Sequence, residues 1–252
     1  MTYSSKTKQQ VSQITEKLIV ALDVESAEMA HTVIDELQGV IGTYKIGLQL
    51  FTSAGPGFVR ELAESGVKIF LDLKFHDIPS TVAKAAVEAA RLGVWMLNMH
   101  ALGGSEMMKT AAGDVREACV KDNLAVPKII GVTVLTSSNE RALNEIGIER
   151  KVEDQVLDLA RLTAKCGLDG VVASALEIAP IRNAIGRSDF LIVSPGIRPD
   201  FATNNDQKRV MTPEAALKAG SDYLVIGRPV IDAPNRLSAV KSILADMEAV
   251  SE

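Results

Sequence analysis

Cysteine occurs only twice in the 252 residues, as Cys119 and Cys166. Neither has a neighbour at the short spacing of a zinc site, and both stand in helical segments beside small or apolar residues, so both read as buried free thiols. Basic residues are also short, with 27 Lys and Arg against 32 Asp and Glu and a net charge of -5. Sequence-independent binding to nucleic acid needs a basic face that displaces condensed counterions, so nucleic acid is excluded as a partner, while a local pocket for one phosphate remains open. No apolar stretch is long enough to span a bilayer, and residues 1–17 hold no apolar run that would form a signal-peptide core. The expectation is a cytoplasmic protein without membrane partners, with a flexible N-terminal tail over residues 1–17. No linker or low-complexity segment interrupts residues 18–252, which are expected to form one catalytic domain.

What is present suits a packed core: 47% hydrophobic and 23% charged residues. Short apolar runs rich in branched residues alternate with longer amphipathic segments, the pattern of repeated parallel βα units. The predicted strands are Leu18 to Asp23, Tyr44 to Leu48, Ile69 to Lys74, Trp95 to His100, Lys128 to Val134, Gly170 to Ala173, Phe190 to Val193 and Tyr223 to Ile226. The clearest helices are Ala27 to Leu37, Thr81 to Leu92, Ser105 to Val120 and Val152 to Lys165. Gly55-Pro56-Gly57 reads as a turn. An open dinucleotide-binding sheet would place a glycine-rich fingerprint after the first strand, where Asp23-Val24-Glu25-Ser26 stands instead. The expected fold is therefore α/β, a single eight-fold β/α barrel of the TIM type, whose reactive residues come from the C-terminal ends of the strands.

Those ends carry Asp23, Lys45, Asp72 with Lys74, His100, Thr136, Ser174, Arg198 and Gly227-Arg228. Core-facing strand positions ordinarily hold Val, Ile or Leu, so four charges ending three consecutive strands require one another or a ligand. Asp72 and Lys74, two apart on a strand, project from one face. An isolated Asp-x-Lys is most simply a structural ion pair; Asp23 and Lys45 arriving at the same mouth make it a charged array.

The segment Asp72 to Thr81, DLKFHDIPST, resembles the active-site signature of the orotidine 5'-phosphate decarboxylase family, bacterial type. Ala21-Leu22-Asp23, Tyr44-Lys45-Ile46-Gly47, Val132 to Ser137, Ser194 to Pro199 and Val225 to Pro229 are similar to further family segments, in family order across nearly the whole barrel. The resemblance implies decarboxylation of orotidine 5'-monophosphate to uridine 5'-monophosphate, in pyrimidine biosynthesis and without a cofactor or a metal. By position it makes Lys74 the general acid and Asp72 its charged neighbour, with Lys45 and Asp77 completing the catalytic set. Asp77 and Ile78 would reach the site of a second subunit, with Pro79 and Thr81 in the same binding segment, so a homodimer is implied. Asp23 and Lys45 would hold the ribose, Thr136 the pyrimidine, and Arg198, Gln207, Gly227 and Arg228 the phosphate.

The chemistry suits these residues. Loss of carbon dioxide from C6 of a pyrimidine leaves an electron pair that a fixed cation stabilises and then protonates, and Lys74 supplies both functions without an electron sink such as pyridoxal phosphate. His76 and His100 read as hydrogen-bonded structural histidines, and Ser174 as a helix cap before Ala175. Thr133 faces the core or supports the pyrimidine loop, and Glu153, Asp154 and Asp158 form a solvated helix face. Two rivals stand beside this reading. A metal-dependent decarboxylase or synthase of keto sugar phosphates would share the Asp-x-Lys element, but would need an acidic ligand where this chain has Lys45. A silent nucleotide-binding barrel would gain little from carboxylates gathered near an anion.

Overall fold

The computed structural model describes residues 14–199 and 211–249. Eight parallel strands close into a barrel in chain order: β1 Leu18–Ala21, β2 Thr43–Gly47, β3 Lys68–Phe75, β4 Met96–His100, β5 Lys128–Val132, β6 Gly170–Val172, β7 Leu191–Pro195 and β8 Tyr223–Ile226. β8 returns to β1, with Leu18 opposite Leu224. All eight predicted strands are present, their ends within two residues of expectation.

Alternation along these buried strands separates two apolar layers. Ile19, Phe70, Met96, Ile130, Val193 and Val225 fill the barrel interior. Their neighbours Val20, Ile69, Leu71, Leu97, Ile129, Ile192 and Leu224 face outward and pack against the helices. Each such side chain, fully buried, contributes roughly 1.5–3 kcal/mol. At the N-terminal end of the barrel the rings of Trp95 and Tyr223 meet edge to face, with centroids 5.1 Å apart. The C-terminal end is left to polar side chains.

The helices start where local chemistry favours it. Ser26 caps α1 (Ala27–Glu36), its hydroxyl accepting from the Met29 amide at 3.3 Å. The second helix, α2 (Leu48–Glu64), runs through Gly55-Pro56-Gly57, so the expected turn is a break inside a helix. Gly55 takes the left-handed value φ 75, which ends the first half, and Pro56 starts the second with its φ already set. Pro79 likewise opens α3 (Pro79–Arg91), two residues before the expected start. The expected tail also needs correction at its end. Ile14 is buried in the core and the Lys17 carbonyl accepts from Leu224 at 2.8 Å, so residues 14–17 are tied to the barrel. Residues 1–13 lie outside the described residues.

Candidate active site

The first three strands deliver four charges to one point. Lys45 Nζ lies 3.0 Å from Asp23 Oδ1 and 3.4 Å from Asp72 Oδ2, and Lys74 Nζ lies 2.7 Å from Asp72 Oδ1. Along this row the sign alternates, so every buried charge has an opposite neighbour. That pairing is the condition for keeping Lys45 and Asp72, 8% and 9% exposed, in a mostly apolar interior. Burial opposes the Lys45 charge, but the Asp72 and Asp23 carboxylates outweigh it, and the ammonium is held above the ordinary lysine range.

Lys74 does not reach this row by strand alternation alone. The pairing of β3 with β4 is irregular between Leu71 and Phe75, and Lys74 has φ 52, a left-handed value uncommon for a residue with a side chain. Its amide donates to Asn98 Oδ1 at 2.8 Å, and the Asn98 Nδ2 donates to Asp72 Oδ1 at 2.7 Å. Asn98, fully buried on β4, carries no charge and so does not stand out among the charged strand ends. The signal was available: an amide at an interior strand position must satisfy both its donor and its acceptor.

Lys45, Asp72 and Lys74 line a cavity of about 170 Å³ together with the apolar Phe70, Val132, Val134, Val172 and Val225, and with Leu135 and Thr136. Charged groups and apolar side chains around one cavity suit a flat ring that carries an anionic substituent on one edge.

The remaining predicted residues fall into two groups. Gly227 and Arg228 follow β8, with Arg228 starting a short helix, Arg228–Ile231. A Cβ on Gly227 would stand 3.1 Å from Asp23 Oδ2, so the bare backbone keeps this corner of the mouth open. Arg198, after β7, is 9% exposed, and its Nη1 donates to the Ile197 carbonyl at 3.0 Å. Gln207 lies outside the described residues. In the second group, Asp77 turns back to accept from the Ile78 amide at 2.6 Å, Ile78 is 64% exposed, and Thr81 is exposed in the first turn of α3 beside Pro79. None of these lines the cavity of its own chain.

The histidines sit beside the row, with ring centroids 5.5 Å apart. The expected hydrogen-bonded role does not hold for His100, whose buried Nδ1 finds no hydrogen-bond partner among the described residues; burial, with His76 and Lys74 nearby, lowers its pKa. Ser174 does begin a helical turn, its amide donating to the Glu177 carboxylate at 2.9 Å. The Thr133 hydroxyl donates to the Val172 carbonyl at 3.0 Å. Among the described residues no group of three or more His, Cys, Asp and Glu side chains is placed to hold a metal ion, and no helix is long and apolar enough to cross a membrane.

Residues 16–243 match the model of the orotidine 5'-phosphate decarboxylase / HUMPS family. The chain is 53% identical over 236 residues to orotidine 5'-phosphate decarboxylase of Syntrophotalea carbinolica, covering 94% of this chain and 96% of that protein. It is 55% identical over 240 residues to the Geobacter metallireducens enzyme of the same name, covering 94% and 98%. Among solved structures, orotidine 5'-phosphate decarboxylase from Lactobacillus acidophilus superposes with a TM-score of 0.81 at 38% identity, over 92% of this chain and 99% of that one.

Proposed function

The chain belongs to the orotidine 5'-phosphate decarboxylase / HUMPS family, and from that premise we propose that it converts orotidine 5'-monophosphate to uridine 5'-monophosphate with Lys74 as the general acid. The observation that carries this reading is the row Asp23, Lys45, Asp72, Lys74, of which Lys45, Asp72 and Lys74 line the cavity. The bond from C6 to the carboxylate breaks, carbon dioxide leaves, and the electron pair stays on C6 beside the Lys74 ammonium. The N–H bond of Lys74 then breaks and its proton goes to C6, and the neutral amine is reprotonated from water.

Asp72 faces the departing carboxylate. Two like charges about 4 Å apart repel by roughly 1 kcal/mol in water and about 4 kcal/mol at an effective dielectric near 20, and loss of carbon dioxide relieves that repulsion. Lys45 and Lys74 stand 3.4 Å and 2.7 Å from the Asp72 carboxylate, so the repelling group and the fixed cation share one site. Asp23 and Lys45 hold the ribose and Thr136 meets the pyrimidine. Arg198, Gly227, Arg228 and Gln207 take the phosphate, in the loops after the seventh and eighth strands where such barrels commonly bind one.

The working unit is a homodimer in which Asp77 and Ile78 reach the neighbouring site, with Pro79 and Thr81 in the same substrate-binding segment. Two features support this. Asp77 and Ile78 are exposed and do not line the cavity of their own chain, and apolar side chains left exposed after successive strands, Leu48, Ile78, Leu102 and Leu135, form a rim that a second copy would cover.

The test follows orotidine 5'-monophosphate by ultraviolet absorbance in excess chelator, comparing the wild type with Lys74→Ala at matched folded concentration. Metal-independent turnover in the wild type, essentially lost in the variant, is the expected result. A well-folded wild-type dimer that leaves the substrate intact overturns the assignment.

A further inference from the structure

We propose that Asn98 is a positioning residue for the decarboxylation, holding Lys74 in its left-handed backbone conformation against Asp72; the inference rests on the functional reading above and deepens it. Asn98 occupies an interior position of β4, where Met96 below it is apolar, and it is fully buried. Its carboxamide is spent wholly on two members of the charged row. The Oδ1 takes the Lys74 amide at 2.8 Å and the Nδ2 gives to Asp72 Oδ1 at 2.7 Å, the same oxygen that receives Lys74 Nζ at 2.7 Å. The orientation of the amide is fixed by chemistry, because a backbone N–H only donates and an ionised carboxylate only accepts.

The bulge explains why such a group is required. Between Leu71 and Phe75 the β3–β4 ladder is interrupted, and the Lys74 amide finds its partner in a side chain instead of a backbone carbonyl. A left-handed lysine is strained and persists only where its surroundings over-determine it. Asn98 ties that strained backbone to the carboxylate which also grips the lysine's ammonium, closing a small ring of hydrogen bonds through both ends of the same residue. Leucine at this position would leave a donor unpaired, and aspartate would set a third carboxylate beside Asp72. Only a neutral group that donates and accepts at once fits.

Two variants test this, Asn98→Ala and the isosteric Asn98→Asp, with kcat, KM, uridine 5'-monophosphate affinity and a crystal structure for each. A shift of about 1 Å in a reacting group costs about 100-fold, so kcat should fall by about that factor in both, with KM and product affinity within about threefold of wild type. In Asn98→Asp the introduced carboxyl should restore the donor when protonated. Its kcat, relative to wild type at the same pH, should therefore rise as pH falls, in protein shown to be folded by circular dichroism. A merely structural residue would lower thermal stability but produce neither the kcat-only loss nor that pH-dependent recovery. In the crystal structure of Asn98→Ala, Lys74 should leave the left-handed region, whereas the carboxylate of Asn98→Asp can still accept the Lys74 amide and loses only the contact with Asp72. Lys74 retained at its present φ in Asn98→Ala, or kcat within about threefold of wild type in both variants, overturns the proposal. If the wild type itself fails to consume orotidine 5'-monophosphate, the functional reading falls, and the Lys74 backbone in Asn98→Ala still decides whether Asn98 holds it.

Discussion

Replacing Lys45 by methionine keeps the side chain's length and deletes the charge at the centre of the row. At 3.4 Å the Lys45–Asp72 attraction is worth about 5 kcal/mol at an effective dielectric near 20. The contact with Asp23, whose side chain is 55% exposed, is screened and adds at most about 1 kcal/mol. Against these stands the cost of burying the ammonium, which methionine removes. Stripping one partner from a buried pair nets about 3–5 kcal/mol of destabilisation, and because Asp72 keeps Lys74 and Asn98 the low end, about 3 kcal/mol, applies. For a chain of this length each kcal/mol moves Tm by about 2–4 °C, so the fall should be about 6–12 °C. Lys45→Met and Asp72→Asn each remove the same contact, so the double variant should lose about 2 kcal/mol less than the sum of the two single losses. Thermal unfolding followed by circular dichroism, with the fluorescence of the lone tryptophan, Trp95, as a second probe, reads all four corners of the cycle. Losses that add to within about 0.5 kcal/mol would refute the reasoning, since they would mean that the two charges do not depend on each other. The raised Lys45 pKa sets the pH window: the pair's contribution is full below about 10.5 and is lost only as pH rises through the higher folded-state value.

His100 has a lowered pKa, so the unfolded chain binds its proton more readily and stability should fall as pH drops below about 6.5; His100→Gln should flatten that slope in urea unfolding run between pH 7 and pH 5. A Cβ at Gly170 would stand 2.2 Å from the Leu191 carbonyl oxygen, which is backbone and cannot turn aside. Gly170→Ala should therefore cost about 1–3 kcal/mol or more, checked by the same thermal scans, and an unchanged Tm would contradict the crowding. At Gly227 the nearest atom is instead a mobile carboxylate oxygen of Asp23, at 3.1 Å, so Gly227→Ala should fold normally. Its KM for orotidine 5'-monophosphate should rise about tenfold as the approach of the phosphate is obstructed, measured by initial rates.

The barrel was legible because its strands are uniformly apolar and its helices amphipathic, two periods that do not resemble each other. Tyr223–Ile226 came out with both ends correct, whereas the first strand stops at Ala21, short of the Asp23 expected to end it, because Asp23 already belongs to the open mouth. The Gly55-Pro56-Gly57 run does interrupt the helix, as a kink at Gly55 between two helical stretches and not as a full turn, because glycine and proline punctuate turns and helix starts alike. The charged row was readable from residue types at strand ends. The irregular backbone that carries Lys74 was not, since nothing in Asp-Leu-Lys announces a left-handed lysine; that conformation is imposed from β4 by Asn98. Whether a second chain supplies Asp77 and Ile78 depends on contacts that a single sequence specifies only as an exposed apolar rim.

Closure of the ring between β1 and β8 has a consequence for synthesis. Leu18 and Leu224 lie opposite each other across the seam between the first and the eighth strand, so during translation β1 waits with one bare edge until β8 has left the ribosome. Asp23 and Gly227 lie on the two sides of that seam. A nascent chain truncated before β8 thus exposes a sticky edge and lacks one flank of its reaction mouth at the same time, which couples the arrival of activity to the disappearance of the surface most prone to aggregate.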